Sequence, residues 1–246
     1  MSRTKQHIRY VQNADTAILF IHGILGTPDH FDLLLPLVPS NWSIHNMLLK
    51  GHGGGVKDLS AASMAGWKQQ VHEALRSLRM SHDKVIITAH SMGTLFAMQE
   101  AIEDRVAALF LLNTPLKIHI TPQMCSTSWK IFRDDIKPGD EWVLAARQAY
   151  GIAGDMNILH YIGWIPRYIE LFSEIRKTRK ITHRLTTTTQ VYLSQHDEMV
   201  SLRSGRSFEN NSHVTVKRLA ASGHFYYSPQ ARCMLREGFH DMVQKI

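Results

Sequence analysis

Short apolar runs alternate with segments of helical period along most of this chain. Ile8–Gln12 reads as a weak first strand, and Ala17–Ile21 as a buried one ending at His22-Gly23. A short helix is predicted over Asp29–Leu37 after Pro28, and a further strand over Ile44–Leu49. The run Gly51-His52-Gly53-Gly54-Gly55 follows, where mobility or a turn is expected. Met64, Trp67, Val71, Leu75 and Leu78 recur at three- and four-residue spacing, which places them on one helix face. Val85–Ala89 is the next strand, and Thr94–Met98 begins an amphipathic helix expected to reach about Asp104.

Val106–Leu112 is again a strand, and after it the alternation stops. From Asn113 to Thr186 the pattern is helical, broken by Pro115, Pro122, Pro138 and Pro166. Thr189–Leu193 and Val214–Leu219 resume the sheet, and Pro229–Ile246 is a closing amphipathic helix. Strands that alternate with helices predict an α/β fold with a mostly parallel sheet covered on both faces. The expected division is a core of 1–112 and 187–246, with 113–186 as a helical cap inserted before the later strands.

The 246 residues are 44% hydrophobic and 20% charged, the balance of a globular chain. No window is apolar enough to span a membrane, and Met1-Ser2-Arg3-Thr4-Lys5-Gln6-His7 lacks the apolar stretch of a signal peptide. Cys125 and Cys233 form neither a disulfide framework nor a metal-ligand spacing, and Cys125 has no evident partner; the reducing cytoplasm is the expected compartment. The formal charge of +7 gathers in Arg176-Lys177-Thr178-Arg179-Lys180, then His183 and Arg184. That run reads either as a solvated helix end or as a weak membrane-surface contact; no nucleic-acid motif accompanies it.

Candidate chemistry centres on Val85-Ile86-Ile87-Thr88-Ala89-His90-Ser91-Met92-Gly93. A β-prone run enters a serine with small residues two positions to either side, and a helix follows. That is the context of a nucleophile elbow, with an ordinary capped strand-to-helix turn as the simpler reading. Ligands of parallel sheets bind outside the carboxyl ends of the strands, so an acid and a base are sought just after later strands. Ser194-Gln195-His196-Asp197 follows one such strand and Ala220-Ala221-Ser222-Gly223-His224 another. His213 and Asp104 precede their strands, His240 lies deep in the closing helix, and Glu198 is the nearest rival to Asp197. Ser91 as nucleophile, His224 as base and Asp197 as its orienting acid make a complete set. Backbone N–H groups of Met92 and Ile24 are the expected oxyanion donors. His22 is read as organising the oxyanion loop, and the glycine run lacks the Lys-plus-hydroxyl ending of a phosphate loop.

His22-Gly23-Ile24-Leu25-Gly26-Thr27, Lys50-Gly51-His52-Gly53, Ala89-His90-Ser91-Met92-Gly93, Asp197 and Ser222-Gly223-His224 resemble the small bacterial carboxylesterases. That group is similar to the monoacylglycerol lipases of the α/β-hydrolase superfamily. The resemblance covers nearly all of the chain outside the cap, with Ala89 where the elbow's first glycine is usual. It implies an α/β-hydrolase fold and cleavage of carboxylic esters through an acyl-enzyme, with neither cofactor nor metal. Short- to medium-chain acyl esters, with monoacylglycerol among them, are the implied small-molecule substrates. Thioesterase and carbon–carbon bond hydrolase chemistry use the same triad, and a non-catalytic ligand-binding protein is the alternative from another class. Serine at the nucleophile position argues against dehalogenases and epoxide hydrolases, which use aspartate there. Trp129, Phe132, Trp142, Tyr150, Tyr161, Trp164, Tyr168 and Phe172 supply both the cap's own core and candidates for the substrate pocket, Trp129, Trp142 and Trp164 among the latter.

Overall fold

The computed structural model describes residues 5–246 apart from 120, 134 and 156, and leaves the side chains of Cys125 and Phe132 undescribed. The expectations for Met1–Thr4, Cys125 and Phe132 therefore lie outside the described residues. Among the described residues seven strands form one sheet: β1 (His7–Arg9), β2 (Thr16–Ile21), β3 (Ser43–Asn46), β4 (Lys84–His90), β5 (Ala108–Leu112), β6 (Thr189–Ser194) and β7 (Val214–Leu219). Their order is β1-β3-β2-β4-β5-β6-β7. β1 pairs antiparallel with β3, and every other pairing is parallel. The sheet is the mostly parallel one that the alternating pattern predicts.

Period-two alternation sends successive strand residues to opposite faces, and both faces are buried. Leu19, Ile21, Val85, Ile87, Ala89, Leu109 and Leu111 face α2 (Met64–Arg79) and α3 (Met92–Glu103). Ile18, Phe20, Ile86, Phe110 and Tyr192 face α7 (Pro229–Gln244) and the turns of residues 28–37. Helix α2 is amphipathic as its spacing predicts: Met64, Trp67, Val71 and Leu75 are buried.

Two local expectations change, and one unforeseen helix appears. The helix expected over Asp29–Leu37 is two short 3-10 pieces, Pro28–Phe31 and Leu35–Leu37. Pro36 has no N–H to give a continuous α-helix, while Phe31 and Leu34 still reach the core. Helix α1 (Val56–Ala61) follows the glycine run directly, with Asp58 Oδ2 accepting the Gly55 N–H at 2.7 Å. The run itself is a turn, with Gly51 and Gly53 at φ 83° and 73°. Helix α3 is not amphipathic but buried on all sides from Met92 to Ala101. Its outer flank is covered by α6 (Ile165–Ile181), and the Gln99 amide donates to Glu174 and Thr178 of that helix at 3.1 and 2.6 Å.

Between β5 and β6 lie α4 (Pro122–Phe132), α5 (Glu141–Ala149), a 3-10 segment (Ile158–Trp164) and α6. Just after α5 a strap at Gly151 crosses the top of the core. The Gly151 N–H donates to Leu25 O and its carbonyl accepts the Gly53 N–H, both at 2.7 Å. No helix among the described residues is long and apolar enough to cross a membrane.

Gly93 shows how tightly the elbow is packed. A Cβ there would stand 2.3 Å from the carbonyl oxygen of Ile21 and 2.8 Å from that of His22. The crowding comes from the end of the neighbouring strand β2 rather than from the elbow's own strand. Backbone cannot swing aside as a side chain can. Gly93→Ala is therefore expected to cost roughly 1–3 kcal/mol, read as a lower midpoint in urea unfolding.

Candidate active site

The end of β4, the start of α3 and the loops after β6 and β7 meet at one edge of the sheet. Ser91 joins β4 to α3 with φ 50° and ψ −123°, outside the regions that residues bearing a Cβ favour. The turn is held by its Ser91 N–H donating to Leu112 O at 2.9 Å, and by the Gly93 contact above. Its consequence is that the Ser91 hydroxyl stands clear of both strand and helix.

His224 Nε2 lies 3.1 Å from Ser91 Oγ, and His224 Nδ1 lies 2.8 Å from Asp197 Oδ2. All three residues are nearly inaccessible to solvent. The other oxygen of Asp197 accepts the N–H groups of Met199 and Val200 at 2.8 and 2.7 Å, so the carboxylate's orientation is fixed from both sides. Glu198, the rival acid, takes a different place: its Oε2 accepts the backbone N–H of His224 at 2.8 Å. The imidazole is thus oriented by Asp197, and its main chain is anchored by Glu198.

Two further residues anchor the same main chain, and nothing in their sequence positions announces it. The His90 ring donates from Nε2 to His224 O at 3.1 Å. The Asn113 amide donates to that carbonyl at 3.1 Å, while its oxygen accepts the Ser194 N–H at 2.9 Å. Asn113 ends β5 at φ 49°, a conformation asparagine tolerates better than most residues.

The second side of the site is the loop after β2. His22 Nδ1 donates to Gly23 O at 2.8 Å, and its Nε2 accepts the Leu49 N–H at 3.0 Å. That pairing fixes the neutral tautomer and ties the loop to the chain beyond β3. Gly26 N–H closes the turn onto Gly23 O at 3.1 Å, with Leu25 at φ 62° between them. Among the described residues the N–H groups of Ile24 and Met92 have no acceptor within the protein. Met92 opens α3, where no intrahelical acceptor exists.

The three tryptophans considered for the pocket occupy different places. Trp142 stacks on Tyr226 with ring centroids 5.1 Å apart, beside the His224 loop. Trp164 donates to Val56 O at 3.0 Å and buttresses α1. Trp129 is largely exposed beneath the Arg133 guanidinium. Tyr150 comes nearer to the base, its ring edge-on to Phe225, which in turn is edge-on to His224. Among the excluded candidates, Asp104 pairs with Arg79, His213 precedes β7 and His240 is exposed on α7. No cluster of three metal-ligating side chains occurs among the described residues.

Four more histidine side chains crowd this edge in their neutral form. Burial holds His22 at about 4. Burial, then the neighbouring His224 and His22, holds His30 at about 3. His52 and His90 are likewise pushed well below their ordinary value, chiefly by burial. The His30 and His90 ring centroids lie 3.8 Å apart with the planes tilted by 31°, a contact two imidazolium rings would oppose. A folded-state pKa below the unfolded one means the unfolded chain takes up the proton first as pH falls. The resulting stability is complete above about pH 6.5 and is lost as pH falls toward 4. For His22 alone the linkage is on the order of 3 kcal/mol. Urea midpoints are expected to drop across that window, and the His22→Gln variant to show a shallower drop.

Residues 18–232 match the profile of the alpha/beta hydrolase family. A thermostable monoacylglycerol lipase of Bacillus sp. (strain H-257) is 27% identical over 85 residues, which are 34% of this chain and 34% of that protein. The aligned part therefore spans about a third of that curated relative. The monoacylglycerol lipase of Paleococcus ferrophilus superimposes with a TM-score of 0.70 at 13% identity, covering 99% of this chain and 100% of that one. A structure from work on the metagenome-derived lipolytic enzymes LipS and LipT gives 0.73 at 17% identity, covering 100% and 99%. Those two likenesses show the fold, and the family match reaches from β2 into α7. The chain belongs to the alpha/beta hydrolase family.

Proposed function

We propose that this protein is a serine hydrolase that cleaves carboxylic esters through an acyl-enzyme on Ser91. One observation carries the reading: a strained serine whose hydroxyl lies 3.1 Å from an imidazole that an aspartate orients from its far side. A serine hydroxyl is a weak nucleophile until a base removes its proton, and the Ser91–His224 contact supports that transfer. As Ser91 Oγ attacks the ester carbonyl carbon, His224 Nε2 takes the proton and the carbonyl oxygen becomes an oxyanion. The free N–H groups of Met92 and Ile24 stabilise it; one such donor is worth about 3 kcal/mol in the barrier. The C–O bond to the alcohol then breaks and His224 returns its proton to the leaving oxygen. Water, deprotonated by the same imidazole, releases the carboxylic acid from Ser91. Asp197 keeps the Nδ1–H tautomer and offsets the imidazolium charge throughout.

Ile24 and Leu25, half-buried on the loop that carries the second oxyanion donor, support an apolar acyl group of short to medium length. The name of the Bacillus relative supports monoacylglycerol as the natural ester.

Ser91→Ala is expected to lower turnover by about 10⁶ with an unchanged circular dichroism spectrum. A fluorophosphonate should label the wild-type protein and not this variant. His224→Ala that keeps most of the activity would remove the assigned base. A panel of p-nitrophenyl esters, monoglycerides and acyl thioesters, ranked by kcat/KM, then decides the substrate class; faster turnover of thioesters overturns the ester assignment.

A further inference from the structure

Helix α6 has two unlike sides. Leu171, Glu174, Ile175 and Thr178 are buried toward the core. Ile165, Ile169 and Phe172 are exposed instead, at 55, 62 and 46%. The 3-10 segment that runs directly into the helix exposes Ile158, Leu159 and Ile162 at 73, 66 and 58%. Six large apolar side chains from one short stretch therefore meet water. Scattered exposed apolar residues are ordinary, but a concentration of this kind marks a surface used for contact.

The same helix face changes chemistry toward its end. With 3.6 residues per turn, Ile165, Ile169, Phe172 and Arg176 fall within about 60° of one another, and Arg179 and Lys180 flank them. Arg176, Arg179, Lys180 and, just beyond the helix, Arg184 are all exposed. Among the described residues Arg176, Arg179 and Lys180 have no carboxylate partner. Lys177 does, in Glu174. A solvated helix end accounts for the basic residues and leaves the apolar stripe unexplained. A second copy seated stripe to stripe would add its own cations without an idle carboxylate from this helix. Glu170 is engaged with Arg167, and Glu174 with Lys68 and Lys177.

We propose that this face of the cap docks on an anionic lipid surface, the apolar stripe entering the headgroup boundary while Arg176, Arg179, Lys180 and Arg184 meet lipid phosphates. An amphipathic element lying in the interface gains from apolar burial and from attraction to anionic lipid together. The inference goes beyond the proposed chemistry and does not depend on it, because no residue of the stripe touches Ser91, Asp197 or His224.

The test is sedimentation of the full chain, carrying Ser91→Ala, with vesicles of phosphatidylcholine alone or mixed in equal parts with phosphatidylglycerol. Binding to the mixed vesicles is expected, weaker on phosphatidylcholine and weakened by salt. Each basic residue near an anionic surface is worth about a factor of five in partitioning, so Arg176→Gln with Lys180→Gln should lower it about 30-fold. Ile162→Ser, Ile165→Ser and Ile169→Ser together should lower it about tenfold or more. In the Ser91 background both variants should hydrolyse a water-soluble short ester at the wild-type rate, which shows that they fold. Equal binding by wild type and both variants, or no binding by wild type, overturns the proposal. A dimer in sedimentation velocity that the isoleucine variant dissociates, without vesicle binding, assigns the stripe to a second copy instead. Vesicle binding with no esterase activity would retain this surface and remove only the chemistry at Ser91.

Discussion

His224 is gripped at every polar atom it has, and the rest of the site is arranged around that grip. Its two ring nitrogens meet Asp197 and Ser91, its N–H meets Glu198, and its carbonyl meets both His90 and Asn113. The partners come from the ends of β4, β5 and β6, three neighbouring strands of one parallel sheet. A loop after an edge strand would ordinarily be free to move, since few packed contacts cross it. Here hydrogen bonds to central strands replace the missing packing. The ring is thus positioned by its own backbone as well as by the carboxylate behind it, which limits how far the Ser91 contact can open.

The chemistry of that grip explains why so many imidazoles gather without repelling one another. His90 donates through Nε2, and His22 donates through Nδ1 while accepting at Nε2. Each uses the neutral ring as a short rigid spacer with a donor at one end. Burial, which disfavours the charged form, is what makes this use workable. The site therefore concentrates titratable groups and keeps most of them from titrating near neutrality.

The sheet was readable because its central strands are buried on both faces, so Ala17–Ile21, Val85–Ala89 and Leu109–Leu112 are nearly continuous apolar runs. Serine was readable because it directly follows such a run, and the aspartate and histidine because each stands in the loop just after a later strand. Helix boundaries suffered where proline and leucine share a segment, as at residues 28–37. The all-round burial of α3 was hidden as well, since the helix that covers it lies some 70 residues onward in the chain. The anchoring roles of Asn113, His90 and Glu198 were hidden for a different reason. They act on the main chain of a distant residue, and an amide, a ring or a carboxylate carries no mark in its neighbours of which backbone it will meet.

The strap at Gly151 joins the cap to two loops of the core, and the Asn113 amide joins β5 to the last loop before α7. Both connections need polypeptide that is made late. Ser91 precedes His224 by 133 residues, so a chain emerging from the ribosome finishes the serine and its helix long before the imidazole exists. Until then the hydroxyl has no proton acceptor beside it. The Ser91–His224 contact is therefore missing from every translation product that ends before residue 224.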